Sequence, residues 1–171
     1  MRVAIATASL IALTTGACAA DTAAPAPPKC SALNTQRHGR LVTGAWNSGG
    51  PGYVRYCGPG RAVLRVGGTS FTIKGGTCRA GQASMRFGLL GYGGLPGKGL
   101  VARLQPAGTD AHPRWYIRAG RIPIVDGQVQ LPGFRSLPHH GTAIVSKDLQ
   151  SATFSLGSPP RITGSWTCGS R

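Results

Sequence analysis

The chain has no glutamate at all, and its acidic complement is Asp21, Asp110, Asp126 and Asp148. So few carboxylates make a paired-acid glycosidase site hard to build. No C-x-x-C pair occurs among Cys30, Cys57, Cys78 and Cys168, which argues against a zinc site. No G-x-S-x-G elbow is present, and no cysteine is left over as a nucleophile. Long segments free of glycine and proline are also scarce. These two types make up 40 of 171 residues. Beyond the first twenty positions, only Lys29 to His38 and Thr142 to Leu156 run ten residues or more without either. Each internal glycine costs a helix about 1 kcal/mol and each proline about 3, so ordinary helices have almost nowhere to sit.

The glycine-rich stretch Gly88 to Gly99 (GLLGYGGLPGKG) fails as a phosphate cradle. Tyr92 stands where a P-loop needs its first glycine, and Gly99 follows Lys98 where Ser or Thr belongs. Pro96 occupies the third glycine position of a dinucleotide fingerprint. The stretch reads instead as a mobile surface loop between strands.

What is present begins with an export signal. Arg2 is followed by an apolar run from Val3 to Leu13, too short to span a bilayer, which takes about 20 residues. Small residues follow from Thr14 to Ala20, where a signal peptidase cuts. Two routes are open. Thr15, Gly16 and Ala17 before Cys18 resemble a bacterial lipobox, which makes Cys18 the lipidated residue. The other route is plain cleavage after Ala19 or Ala20. The organisation expected is a signal segment over 1–18, a Pro/Ala tether over 19–29 and one β domain over 30–171. The four cysteines beyond the leader read as two disulfides in an oxidising compartment, with three connectivities open.

The formal charge is +15, and arginine outnumbers lysine fifteen to four. Such a surface feels anionic lipid, wall polymer or nucleic acid at low salt. The arginines are spread along the chain, as a basic background composition also produces.

Period-2 alternation runs through most of the sequence. Ala62, Leu64 and Val66 alternate with Arg61, Val63 and Arg65; Gly67-Gly68 forms a two-residue turn; Phe71 and Ile73 then alternate with Ser70, Thr72 and Lys74. Two adjacent glycines accept the positive φ values of a type I′ hairpin. Similar alternation occurs at Met85 to Leu89, Leu100 to Leu104, Trp115 to Arg118, Ala152 to Leu156 and Ile162 to Trp166. Ile122 and Ile124 lead into Asp126-Gly127, a second turn signal before Val129 and Leu131. The expectation is an all-β domain, an antiparallel β-sandwich or partly open barrel of about nine to ten short strands. Arg65, Lys74, Arg86, Arg103 and Arg118 fall on the solvent side of their strands and are the candidate contacts for an anionic surface.

The pieces Tyr56-Cys57-Gly58-Pro59, Gly75-Gly76-Thr77-Cys78 and Gly164-Ser165-Trp166-Thr167-Cys168 resemble a group of actinobacterial envelope lipoproteins. In outline they are also similar to the mycobacterial nineteen-kilodalton lipoprotein antigen family. The resemblance covers about Cys57 to Cys168 and rests on short Gly/Cys motifs. It implies a tethered β domain and pairs Cys78 with Cys168, leaving Cys30 with Cys57; it carries no catalytic residue across. Cys30, Cys57 and the heavy arginine content depart from that family. Hairpin geometry favours a different pair. With the turn at Gly67-Gly68, opposed residues sum to 135, as Cys57 and Cys78 do. Gly58-Pro59-Gly60 should interrupt such a ladder, so both pairings stay open.

The histidines are His38, His112, His139 and His140. His139 and His140 could hold a metal or act as a general base with Asp126, but neighbours on an extended chain point apart. Asp126 and Asp148 are better explained by turns. Trp46, Tyr53, Arg55 and Tyr56 suggest either a sugar-binding patch or a packed N-terminal segment. Taken together, the sequence points to a non-enzymatic envelope lipoprotein without cofactor or metal. Its expected partners are the membrane, through a lipid on Cys18, and an anionic envelope polymer or a protein, with no nucleic acid. A secreted hydrolase using His139 or His140, or an inhibitor or host-contact module, is the alternative.

Overall fold

A computed structural model describes residues 23–36, 39–107, 116–135, 140–157 and 161–169. Cys18 and the leader, His38, Asp110, His112, Trp115 and His139 lie outside the described residues.

The first element among the described residues is a five-residue helix, α1 (Ala32–Gln36). Its start is closed by a reciprocal pair: the Ser31 backbone N–H donates to Asn34 Oδ1 at 2.8 Å, and the Asn34 N–H donates to Ser31 Oγ at 3.3 Å. Among the described residues, every later element is a β-strand apart from a 3-10 turn at Trp46–Ser48. In chain order the strands are β1 (Arg40–Gly44), β2 (Gly52–Tyr56), β3 (Arg61–Val66), β4 (Thr69–Lys74), β5 (Gly76–Thr77) and β6 (Ser84–Tyr92). There follow β7 (Lys98–Leu104), β8 (Gly120–Leu131), β9 (Phe134–Arg135), β10 (Gly141–Val145), β11 (Ser151–Leu156) and β12 (Ile162–Thr167). They form one antiparallel sheet in the order β1-β2-β6-β7-β8-β10-β11-β12-β3-β4, with β5 on β6 and β9 on β8. Among the described residues no helix is long and apolar enough to cross a membrane.

The β3–β4 hairpin turns where two glycines allow it, with φ of +54° at Gly67 and +84° at Gly68. Its register runs from Val66↔Thr69 to Arg61↔Lys74. The ladder stops there. Cys57 turns away, its N–H donating to the Gly39 carbonyl at 2.8 Å, while Gly76 and Thr77 pair with Phe87 and Arg86. Cys57 and Cys78 are thereby separated, and the disulfides are Cys30–Cys57 and Cys78–Cys168.

Because the chain leaves β3 for β6 at this point, the sheet rolls on itself without closing. The Gly88 N–H donates to the Gly75 carbonyl at 2.9 Å across the seam. Gly88 has φ +77°, and a Cβ there would lie 2.2 Å from the Lys98 carbonyl oxygen, so only glycine fits. Inside the roll sits the main core, which includes Leu64, Phe87, Leu100, Ile124, Leu156 and Trp166. Phe154 stacks on Trp166 with ring centroids 5.2 Å apart.

Three segments differ from the sequence reading. Asp126-Gly127 makes no turn, because β8 runs through it. Arg103 faces Asp126 while Leu104 faces Ile124, leaving Val125 as the extra residue of a bulge. The bulge shifts the buried positions from Ile122 and Ile124 to Gly127, Val129 and Leu131. The alternation therefore changes phase without a change of direction. The glycine-rich stretch is largely strand, with Gly88–Tyr92 in β6 and Lys98 opening β7. The hairpin between is fastened by buried Gln130, whose Oε1 accepts from the Gly91 N–H at 2.8 Å. Its Nε2 donates to the Gly91 and Leu95 carbonyls at 3.1 and 3.3 Å. The segment read as a strand near Trp115 contributes one isolated bridge, Gln82↔Tyr116, among the described residues.

Candidate cationic surface

Arg65, Lys74, Arg86, Arg103 and Arg118 are all exposed. Their strands do not align them in one row, although β4 runs on into β5, which pairs with β6 at Thr77 and Arg86. Arg86 and Arg103 lie on the neighbouring strands β6 and β7, and Arg118 lies between strands. Arg65 and Lys74 belong to the β3–β4 hairpin at the other end of the sheet path. The reason is topological: alternation fixes which side of a strand a residue takes, whereas strand order decides its neighbours.

Around β6 the outward side is largely apolar. Arg86, Leu90 and Tyr92 alternate with the core residues Met85 and Phe87, and Val101 sits between buried Leu100 and Ala102. On this outer side Val54, Tyr56 and Leu90 are buried, with Trp46, Tyr92 and Val101 packed against them. The Trp46 and Tyr92 rings lie 5.2 Å apart, and the Arg40 guanidinium carbon sits 4.7 Å from the Trp46 ring centroid. Arg86 lies 6.0 Å from the Tyr56 ring centroid. Burial pushes the Tyr56 phenol above its usual range, opposed by the Arg86 charge, reinforced by Tyr92 and opposed again by Arg40. The aromatic group suggested by the sequence thus gains Tyr92 and Arg40, which the spacing alone did not connect.

The outward side of β11, β12, β3 and β4 has a different chemistry. Register places Ser155, Thr163, Arg65 and Ser70 in one row across the four strands. The next row is Thr153, Ser165, Val63 and Thr72. The third is Ser151, Thr167, Arg61 and Lys74. All of them are exposed or half-buried. Strand spacing of about 4.8 Å and a same-face repeat of about 6.8 Å turn these rows into a lattice of hydroxyls and cations. β10 extends it with Thr142 opposite Ser155 and exposed Ile144 opposite Thr153. The four strands carry no acidic residue, and among the described residues Arg61, Arg65 and Lys74 have no ion-pair partner. A groove of about 370 Å³ opens in the lattice, with Val63, Arg65, Thr153, Thr163 and Ser165 in its lining. Arg61 directly faces Lys74, a like-charge pair that destabilises a ladder. Alternation showed the outward residues of β3, β4 and β12 and, on β11, Thr153 and Ser155, but not Ser151, Thr142 or Ile144, nor the register that aligns them.

Asp148, at the edge of the lattice, is turned into its own bend, where Ser146 Oγ and the Gln150 N–H donate to its Oδ1 at 2.5 and 3.0 Å. These bonds, the serine first, lower its pKa. His140 is exposed, and its carbonyl accepts from the Gly157 N–H at 3.0 Å. Asp126 lies within β8 opposite Arg103, and His140 directly precedes Gly141, which pairs with Ile124 two residues from Asp126. The described residues contain no group of three or more His, Cys, Asp or Glu able to hold a metal ion. Comparison with protein-family models, curated proteins and solved structures finds no match to this chain.

Proposed function

We propose that this protein is a non-enzymatic component of a bacterial cell envelope, whose cationic β domain contacts anionic envelope material. The observation carrying this reading is the outward lattice on β11, β12, β3 and β4, which is cationic and free of acidic side chains. Two disulfides support residence in an oxidising compartment. The leader and the small residues before Cys18 support export and a lipid anchor on that cysteine. The likeness to envelope lipoproteins agrees with both. Binding of the processed protein to anionic vesicles or wall polymer should weaken steeply with added salt, because exposed charges are screened within about 8–10 Å. Salt-insensitive binding, or none, contradicts the proposal. Intact mass of the processed protein tests the anchor: diacylglycerol on Cys18 supports it, and a plain N-terminus beyond Cys18 refutes it.

A further inference from the structure

We infer that the outer face of β11, β12, β3 and β4 is a binding site for an acidic polysaccharide: the aligned hydroxyls grip the sugar chain while Arg61, Arg65 and Lys74 bind its anionic groups. This inference rests on the envelope-contact reading and narrows it to one face and one ligand class.

Charge is the first support. Arg61 and Lys74 oppose each other directly, and no carboxylate on the four strands relieves them. A cross-strand pair of like charges costs stability in the free domain, and an anion between them removes that cost. Arg65 lies four residues along the same strand and on the same face as Arg61, about 13 Å away at the rise of a β-strand. The cations therefore suit a ligand with separated anionic groups on an extended chain.

The residues between the cations identify what that chain is made of. Thr72, Thr153, Thr163, Ser165 and Thr167 present hydroxyls, each both donor and acceptor. A sugar chain offers matching hydroxyls and ring oxygens along its length. A bilayer surface would instead reward side chains that insert into it. Among the described residues, Ile144 on β10, beside Thr153, is the large exposed apolar side chain that adjoins this face, and a single such side chain is a poor bilayer anchor. The half-open groove beside Arg65 is lined by Thr153, Thr163 and Ser165, so hydroxyls and a cation share one depression.

The test uses the processed protein with three probes: polygalacturonate, poly-glutamate, and vesicles of phosphatidylcholine with phosphatidylglycerol. Polygalacturonate should bind most tightly. Lys74→Thr should weaken that binding by about 5-fold, yet raise the melting temperature at low salt by about 1–3 °C as the like-charge pair disappears. Opposite signs for binding and stability separate a ligand site from a general loss of folding. Thr153→Val with Thr163→Val and Ser165→Ala should abolish the preference for polygalacturonate over poly-glutamate without changing affinity for poly-glutamate. Equal binding of all three probes, or no effect of the hydroxyl substitutions, overturns the inference while leaving the envelope-contact reading standing. Absence of binding to every probe overturns both.

Discussion

On β6 and β7 the outward residues Leu90, Tyr92 and Val101 are buried or half-buried, packed with Val54 and Tyr56 of the adjoining β2 and with Trp46. On β11, β12, β3 and β4 the outward residues are hydroxyls and cations that stay exposed or half-buried. Both regions belong to one sheet, and both follow the same period-2 alternation. They differ in what the chain supplies as cover. The Cys30–Cys57 bridge, the β1–β2 hairpin and the 3-10 turn bring apolar cover to β6. The arginines there rest against aromatic rings, Arg40 on Trp46 and Arg86 near Tyr56. Among the described residues, the cations of the open face have no such contacts. Exposure of an arginine is thus a weak guide to its role; its neighbours across the ladder are a better one.

The largest effects should come from the two disulfides, each of which secures a different region. Removing Cys78–Cys168, which spans 90 residues, should cost about 4–5 kcal/mol in the chain-entropy view. Removing Cys30–Cys57, which spans 27, should cost about 3–4 kcal/mol. Paired Cys→Ser variants followed by denaturant unfolding measure both. Loss of Cys30–Cys57 should also change Trp46 fluorescence while preserving polyanion binding; a parallel loss of binding would join the two regions that the structure separates.

Gln130→Ala probes the covered region with a smaller effect. It leaves the Gly91 N–H and carbonyl without their side-chain partner, a cost of about 1–3 kcal/mol. Hydrogen exchange at Gly91 should rise, with little change at Thr153 or Ser165. An unchanged Gly91 would show that the glycine-rich hairpin is held by other contacts.

These cases show what alternation conveys and what it omits. The hairpin at Gly67-Gly68, the inward residues Leu64, Phe87, Leu100, Leu156 and Trp166, and the all-β class were legible because each depends on local pattern. The bulge at Val125 was hidden, since a bulge and a turn both break the phase, and Asp126-Gly127 suits either. Tyr92 could not be assigned to Trp46 because the two are joined only through pairing of β2 with β6. The hydroxyl lattice was hidden for the same reason. Its rows join residues about a hundred positions apart, such as Val63 with Ser165, and single-strand periodicity carries no register between them. The resemblance drawn from the short Gly/Cys motifs implied Cys78 with Cys168, the pairing the structure has, where hairpin geometry had left two pairings open.

The smallest effect is expected at Asp148, which is fully exposed. Its folded pKa is lowered, chiefly by Ser146 and then by the Gln150 N–H, so its contribution is present above the unfolded value of about 3.9. That contribution fades as pH falls through the lowered folded value. Asp148→Asn should lower the melting temperature slightly at neutral pH, with the difference vanishing in strong acid. A difference that grows on acidification would contradict this account of the bend.

The central claim is that the open face, and not net charge alone, binds the anionic ligand. Equal removal of charge from the two regions tests it most directly. Affinity for polygalacturonate would be measured for the Arg65→Gln/Lys74→Gln pair and for the Arg40→Gln/Arg86→Gln pair, each two charges less than the parent. The first pair should lose about 10-fold or more and the second about 2-fold or less. Equal losses, or a greater loss from the second pair, would contradict the assignment.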